Sequence, residues 1–259
     1  LLRPYISYIK LRIIDCNLLK LSKSYQRLAI DPTQKENEKI RLTSQQNHYL
    51  SRVLRLKNGD RLIAMDGLGK SWLVELQDHA GSILEPIIVE TELSVNLTLM
   101  IALPKGNGFD DLIRSCTELG VTTFIPVISD RTLLKPSAAK VERWTRIAKE
   151  AAEQSERQII PTILEPQPFK KAIIEQNNPE NQQLICVARG NYPHLLTYLQ
   201  QPRKDVIVVT GPEGGWTEGE IEQAIAANFK PVSLGKTILR AVTAPIMVSS
   251  LVNAVINSY

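Results

Sequence analysis

From residue 97 to residue 234 the chain alternates short, mostly apolar runs with longer stretches of helical period. The runs are Leu97–Leu103, Thr123–Ile128, Leu184–Ala188, Val206–Val209 and Pro231–Leu234. Apolar runs of that length are what strands buried on both faces require. Between them, Phe109–Leu119 places Leu112, Ile113, Cys116 and Leu119 on one side of a helix, and Gly120 ends it. Val141–Arg157 predicts a second helix, and a third follows Thr217 through Ile221, Ala224 and Ile225. The last helix starts near Thr243, with Pro245 in its first turn, where proline is tolerated. Its Ile246, Met247, Val248, Leu251, Val252, Val255 and Ile256 make it apolar all round, as a buried helix is. Strands alternating with helices in this way predict a mostly parallel sheet, an α/β domain.

The stretch before this domain has a different rhythm. Leu28–Ile30 and Ile40–Leu42 read as short strands, and Ile83–Val89 as another. Arg61–Met65 and Ser71–Leu76 read as a hairpin around a turn containing Gly67 and Gly69, and Asn58-Gly59 marks a further turn. Ser44 is placed to cap a helix running through Arg55. Several short strands in so few residues predict a small β-barrel. With a linker near Leu93–Val95, the chain divides into a basic N-terminal extension (1–24), a barrel domain (25–92) and the α/β domain (93–259).

Two glycine-centred loops in the α/β domain are the candidates for chemistry. Val206–Val209 runs into Thr210-Gly211-Pro212-Glu213-Gly214-Gly215, and the strand ending at Leu234 leads through Gly235 and past Arg240 to the last helix. Glycine lets a backbone approach a ligand closely, and open α/β sheets bind ligands at the carboxyl ends of their strands. Thr217 and Glu220 have the spacing of a capping box at the start of the helix between the loops. The chain lacks the spacing of a phosphate-cradling P-loop and the G-x-G-x-x-G turn of dinucleotide-dependent oxidoreductases. The G-x-S-x-G elbow of hydrolases is absent too.

Composition narrows the class without naming a substrate. The 259 residues are 43% apolar and 22% charged, the balance of a globular protein. The net charge of +4 is concentrated: from Lys20 to Arg61 there are ten basic residues against four acidic ones. Such a stretch suits the phosphates of a nucleic acid. Arg52 and Arg55, three apart on the expected helix, would share a face, and with Arg27 they are the candidate phosphate contacts. Three cysteines (Cys16, Cys116, Cys186) and three histidines (His48, His79, His194) are too scattered to give a metal-site spacing. The thiols read as buried groups of a cytoplasmic protein. No stretch approaches the ~20 apolar residues of a membrane span. Segment 1–24 lacks the long apolar core of a secretory signal and reads as an upstream extension.

GPEGGWTEGEI, followed by LGKTILRAVTA, resembles the signature of the ribosomal RNA small-subunit methyltransferase E family, a branch of the knotted SPOUT methyltransferases. HYLSRVLRLKNGD is similar to that family's PUA-like RNA-binding domain, and EAAEQSER to its EAAEQSGR. The resemblance runs from Gln26 to Tyr259. It implies a SPOUT-type α/β domain with a C-terminal trefoil knot, preceded by a PUA-like barrel, in a homodimer. It also implies S-adenosylmethionine as methyl donor and the N3 atom of a uridine in small-subunit (16S) ribosomal RNA, naked or assembled, as acceptor. Carried onto this chain, it places Val209, Thr210, Gly211, Gly214, Gly215, Leu234, Gly235, Ile238, Leu239 and Ala244 around the cofactor. Arg131 and Arg157 join Arg27, Arg52 and Arg55 on the RNA side. Arg240 would stabilise the anion formed as uridine N3 loses its proton. Glu213 would accept that proton or hold a loop amide. Thr237 stands where the family has arginine, and Val242 where it has glutamate. These two positions leave open an RNA-binding protein of the same fold with weakened or lost methyl transfer.

Overall fold

The computed structural model describes residues 25–132 and 136–258; the basic segment 1–24 lies outside them. The chain forms two compact units. One comprises residues 25–65 and Lys70–Ile88, the other Asp66–Gly69 and Val89–Tyr259.

The smaller unit holds β1 (Arg27–Ala29), β2 (Lys35–Glu36), β3 (Lys39–Arg41), β4 (Arg61–Met65), β5 (Ser71–Gln77) and β6 (Ala80–Ile87). They form one sheet in the order β1-β4-β5-β6-β3-β2. Strands β1 and β4 are parallel and the other pairs antiparallel. Leu28 of β1 and Ile40 of β3 come from near opposite ends of that order, yet share one buried cluster with Leu62, Ala64, Val74 and Leu76. The sheet therefore curls around its apolar face, in the barrel-like form expected. Helix α1 (Ser44–His48) is capped by Thr43 rather than Ser44. The Thr43 hydroxyl accepts the Gln46 N–H (3.1 Å), and the Gln46 side chain accepts the Thr43 N–H (2.9 Å). The helix then widens into a π turn, Tyr49–Val53, and stops; Arg55 lies beyond it with a left-handed backbone, φ +58°. Arg52 and Arg55 therefore do not share a helical face, because the expected helix ends two residues short of Arg55.

The larger unit is a parallel sheet with helices on both faces. Its strands are β7 (Asn96–Ala102), β8 (Val121–Ile128), β9 (Thr162–Ile163), β10 (Gln167–Pro168), β11 (Gln182–Cys186), β12 (Asp205–Thr210) and β13 (Lys230–Val232). The order is β10-β8-β7-β12-β11-β13, with β9 pairing β8. Alternation explains why the central runs are apolar at nearly every position. Leu97, Leu99 and Ile101 of β7 enter one core, and Met100 and Ala102 the other. Val206 and Val208 of β12 face the first core, Ile207 and Val209 the second. Side chains on successive strand residues point to opposite faces, so a strand covered on both sides must be apolar at every position.

Helices α2 (Gly108–Glu118), α3 (Ala138–Gln154), α5 (Leu195–Leu199) and α7 (Thr243–Ile256) cover the first face. Helices α4 (Phe169–Glu175) and α6 (Glu218–Ala226) cover the second. Trp144 of α3 locks onto α2: its ring lies 4.4 Å from that of Phe109, and its indole N–H donates to Asp110 (3.0 Å). In α7, Val248 and Val252 are fully buried in the first core. Among the described residues no helix is long and apolar enough to cross a membrane.

Candidate active site

The carboxyl ends of β11, β12 and β13 open into one cleft of ≈ 410 Å³, a size typical of small-ligand sites. Three loops wall it. The loop after β12 brings Gly211, Pro212, Gly214, Gly215 and Trp216 to the cleft. Trp216 is buried; its indole N–H donates to Cys186 O (3.0 Å), and its ring packs 4.8 Å from that of Phe169. One side chain thus ties the end of β11 to the glycine loop. The loop after β13 contributes Ser233, Leu234, Gly235, Thr237, Leu239, Ala241 and, from α7, Ala244. Gly235 has φ +125°, a conformation that favours glycine, and nothing lies within 4 Å of where its Cβ would stand. Ser233 fixes that turn, accepting the Gly235 N–H on its hydroxyl oxygen (3.1 Å).

The third wall, Val187, Ala188, Arg189 and Tyr192 after β11, was not foreseen from sequence. Its only signal is a glycine, Gly190, directly behind an apolar run. Trp216 and Thr237 also line the cleft; the first looks like ordinary core in sequence, and the second marks a departure from the family motif.

Seven residues expected around the cofactor line this cleft: Gly211, Gly214, Gly215, Leu234, Gly235, Leu239 and Ala244. Val209 and Thr210 do not; they are fully buried inside β12, behind the cleft. Ile238 differs from expectation more sharply. It is 61% exposed and outside the lining, while Leu239 and Ala241 take the inward positions.

Arg131 lies in the cleft wall. Its guanidinium donates to Gly214 O (2.5 Å), and a Cβ at Gly214 would sit 3.1 Å from Arg131 Cδ. The stem therefore rests directly on the glycine loop. Glu220 secures the same region from beneath: it is buried and accepts the N–H groups of Asp130 (3.0 Å) and Thr217 (2.8 Å). Glu213 accepts the Lys105 N–H at 2.9 Å, a loop amide, and is not among the residues lining the cleft. Arg240 is exposed, just outside the lining between Leu239 and Ala241, and has no side-chain partner among the described residues.

Contrary to what the resemblance implies, Arg157 does not stand on the RNA side. It is 3% exposed, and its guanidinium is consumed by Glu92 (2.6 Å) and by the carbonyls of Thr117 and Val121 (2.7 Å each). A buried, fully paired arginine is out of reach of RNA phosphates. In the smaller unit, Arg27 is half-buried and engaged, whereas Arg52 and Arg55 are exposed. The described residues contain no cluster of three or more His, Cys, Asp and Glu that could hold a metal.

Burial pushes the thiols of Cys116 and Cys186 up from 9.0 to about 12. With folded values above unfolded ones, the contribution of the neutral thiols to stability is complete below pH ~9 and is lost as pH rises towards 12. Urea unfolding across that range is expected to show a steeper loss for the native chain than for a Cys116→Ala, Cys186→Ala double variant. Equal slopes would contradict it.

The class that this fold and cleft define is set by two matches. A family model described as RNA methyltransferase domain matches residues 91–253, and one described as RNA methyltransferase PUA domain matches residues 35–83; the protein is an RNA methyltransferase. The chain is 49% identical over 237 residues to a Synechocystis protein named ribosomal RNA small subunit methyltransferase E, covering 90% of this chain and 78% of that one. A Bacillus subtilis protein of the same name is 30% identical over 250 residues, covering 88% and 96%. The chain belongs to the ribosomal RNA small subunit methyltransferase E family. Its structure superposes on the Neisseria gonorrhoeae family member bound to S-adenosylmethionine with a TM-score of 0.82 at 30% identity, covering 89% of this chain and 98% of that one. A Legionella pneumophila structure in complex with the same cofactor gives 0.79 at 26% identity, covering 90% and 98%.

Proposed function

We propose that this protein binds S-adenosylmethionine in the cleft at the ends of β11, β12 and β13 and methylates N3 of a uridine in small-subunit ribosomal RNA. The observation that carries the reading is the cleft itself. Its two glycine loops fall where the family's cofactor motifs match, and the open space over Gly235 leaves room for a ligand against the backbone. The cofactor supplies an activated methyl group on a sulfonium, so the protein's task is to orient and to handle charge. Gly211, Gly214, Gly215, Leu234, Gly235, Leu239 and Ala244 would hold it, with Trp216 and Arg131 keeping the glycine loop in place. Gly235→Ala, which forces alanine into a left-handed backbone, is expected to weaken cofactor binding about tenfold by isothermal titration. Unchanged affinity would place the cofactor elsewhere.

Uridine N3 carries a proton and lies on the pairing edge, so the base must be unpaired or flipped out to react. As the proton leaves, negative charge spreads to the base oxygens, and Arg240 can donate charge-assisted hydrogen bonds to it. A methyl group at N3 blocks pairing. Ribosomal RNA from cells expressing the active protein should therefore stop reverse transcription at one uridine, and RNA from cells lacking it should not. A stop at another base, or identical traces, would contradict the assignment.

A further inference from the structure

The π turn Tyr49–Val53 leaves large apolar side chains exposed. Leu50 points inward at 3% exposure, while Tyr49 and Val53 are 39% and 60% exposed. The turn closes through the Leu54 N–H to Tyr49 O bond (3.0 Å). Tyr49 and Val53 thus leave apolar surface exposed on the same turn that carries the exposed Arg52. Arg55 follows in its left-handed backbone. The other arginines of the unit are engaged: Arg41 with Glu36, Arg61 with Glu75, and Arg27 as well. Arg52 and Arg55 have no side-chain partner among the described residues. Isolated π turns and left-handed non-glycine residues are costly and gather at functional sites. From Ser44 to Arg61 the only acid is Asp60, against Arg52, Arg55, Lys57 and Arg61. The chemistry that fits is a polyanion carrying flat apolar groups.

We propose that this turn seats an unpaired nucleotide of the RNA, its base stacked on Tyr49 beside Val53 and its flanking phosphates on Arg52 and Arg55. This rests on the RNA methyltransferase reading and adds which residues grip a single strand in preference to a duplex. Aromatic side chains bind splayed-out bases in this way, whatever the sequence.

The test uses the full chain, a single-stranded oligouridine with one 5-iodouridine, and a blunt duplex of equal length. Irradiation is expected to crosslink the single strand to Tyr49, as read by mass spectrometry. Tyr49→Ala should weaken single-strand binding about tenfold, and Tyr49→Phe should restore it. Arg52→Ala and Arg55→Ala should each lower the salt slope by about one. Wild-type affinity in Tyr49→Ala with no crosslink at Tyr49 overturns the proposal and leaves the methyltransferase reading standing. A change in self-association on Tyr49→Ala, with RNA affinity kept, makes the face a protein contact and also overturns it. Failure of the methyltransferase reading shows separately, as absence of methyl transfer by the wild type with the crosslink intact.

Discussion

Arg240→Ala is expected to lower the rate of methyl transfer about 10²- to 10³-fold, the loss seen when one donor to a developing anion is removed, with cofactor affinity unchanged. The backbone around Arg240 is fixed. Its carbonyl accepts the N–H groups of Thr243 (2.9 Å) and Ala244 (3.0 Å), and both neighbours, Leu239 and Ala241, line the cleft. The guanidinium is exposed and uncommitted among the described residues, so substitution disturbs no fold contact. Neutral uridine needs little from a cation in the ground state, whereas the deprotonating base needs it as charge appears. The interaction therefore strengthens towards the transition state and affects kcat. Arg240→Lys keeps the charge but not the planar fork and should recover only part of the rate. Single-turnover kinetics with saturating cofactor measure the step. A variant that raises KM for RNA and leaves kcat intact would make Arg240 a phosphate contact instead.

Arg157→Ala is expected to destabilise the larger unit by about 3–5 kcal/mol, the cost of breaking a buried ion pair from one side. Six hydrogen bonds depend on this group and its partner, two of them from Arg157 to Glu92. Arg157 donates to Glu92 and to the carbonyls of Thr117 and Val121, and Glu92 in turn accepts the N–H groups of Gln158 (2.9 Å) and Ile159 (3.2 Å). Truncation leaves a poorly solvated carboxylate without its counter-charge and removes a donor from two carbonyls, of which Thr117 O keeps the Gly120 N–H (3.0 Å). Denaturant unfolding should show the loss. RNA affinity per folded molecule, measured well below the melting temperature, should stay at the wild-type value. A stable variant with weakened RNA binding would restore the contact role that burial now excludes.

The two arginines show what the sequence could and could not reveal. Arg240 stands next to a glycine loop in a local motif, so its neighbourhood was readable from the residues around it. The environment of Arg157 is set by Glu92, 65 positions away, and no local pattern announces such a partner. The same division holds across the fold. The Thr217–Glu220 capping box, the Arg61–Met65 hairpin strand and the alternating strands and helices are local or periodic features, and all appear as read. The strand order, which puts β11 between β12 and β13, is set by long-range packing and left no trace in periodicity. It is also why the Val187–Tyr192 loop was missed as the third wall of the cleft. Near Arg55 the helix ends in a π turn at Val53, two residues short, so helical spacing assigns a shared face that does not exist.

The most direct test of the central claim is transfer of labelled methyl from S-adenosylmethionine to small ribosomal subunits, and to their naked RNA, taken from cells lacking this protein. The product is digested and mapped. The account predicts label on N3 of a single uridine, lost in Arg240→Ala and kept, per folded molecule, in Arg157→Ala. Label on another base atom would contradict the proposed acceptor. No label, despite measured cofactor binding and intact substrate, would contradict small-subunit ribosomal RNA as the target. Absence of both label and cofactor binding would favour an RNA-binding protein that has lost methyl transfer, with Thr237 and Val242 the first positions to restore.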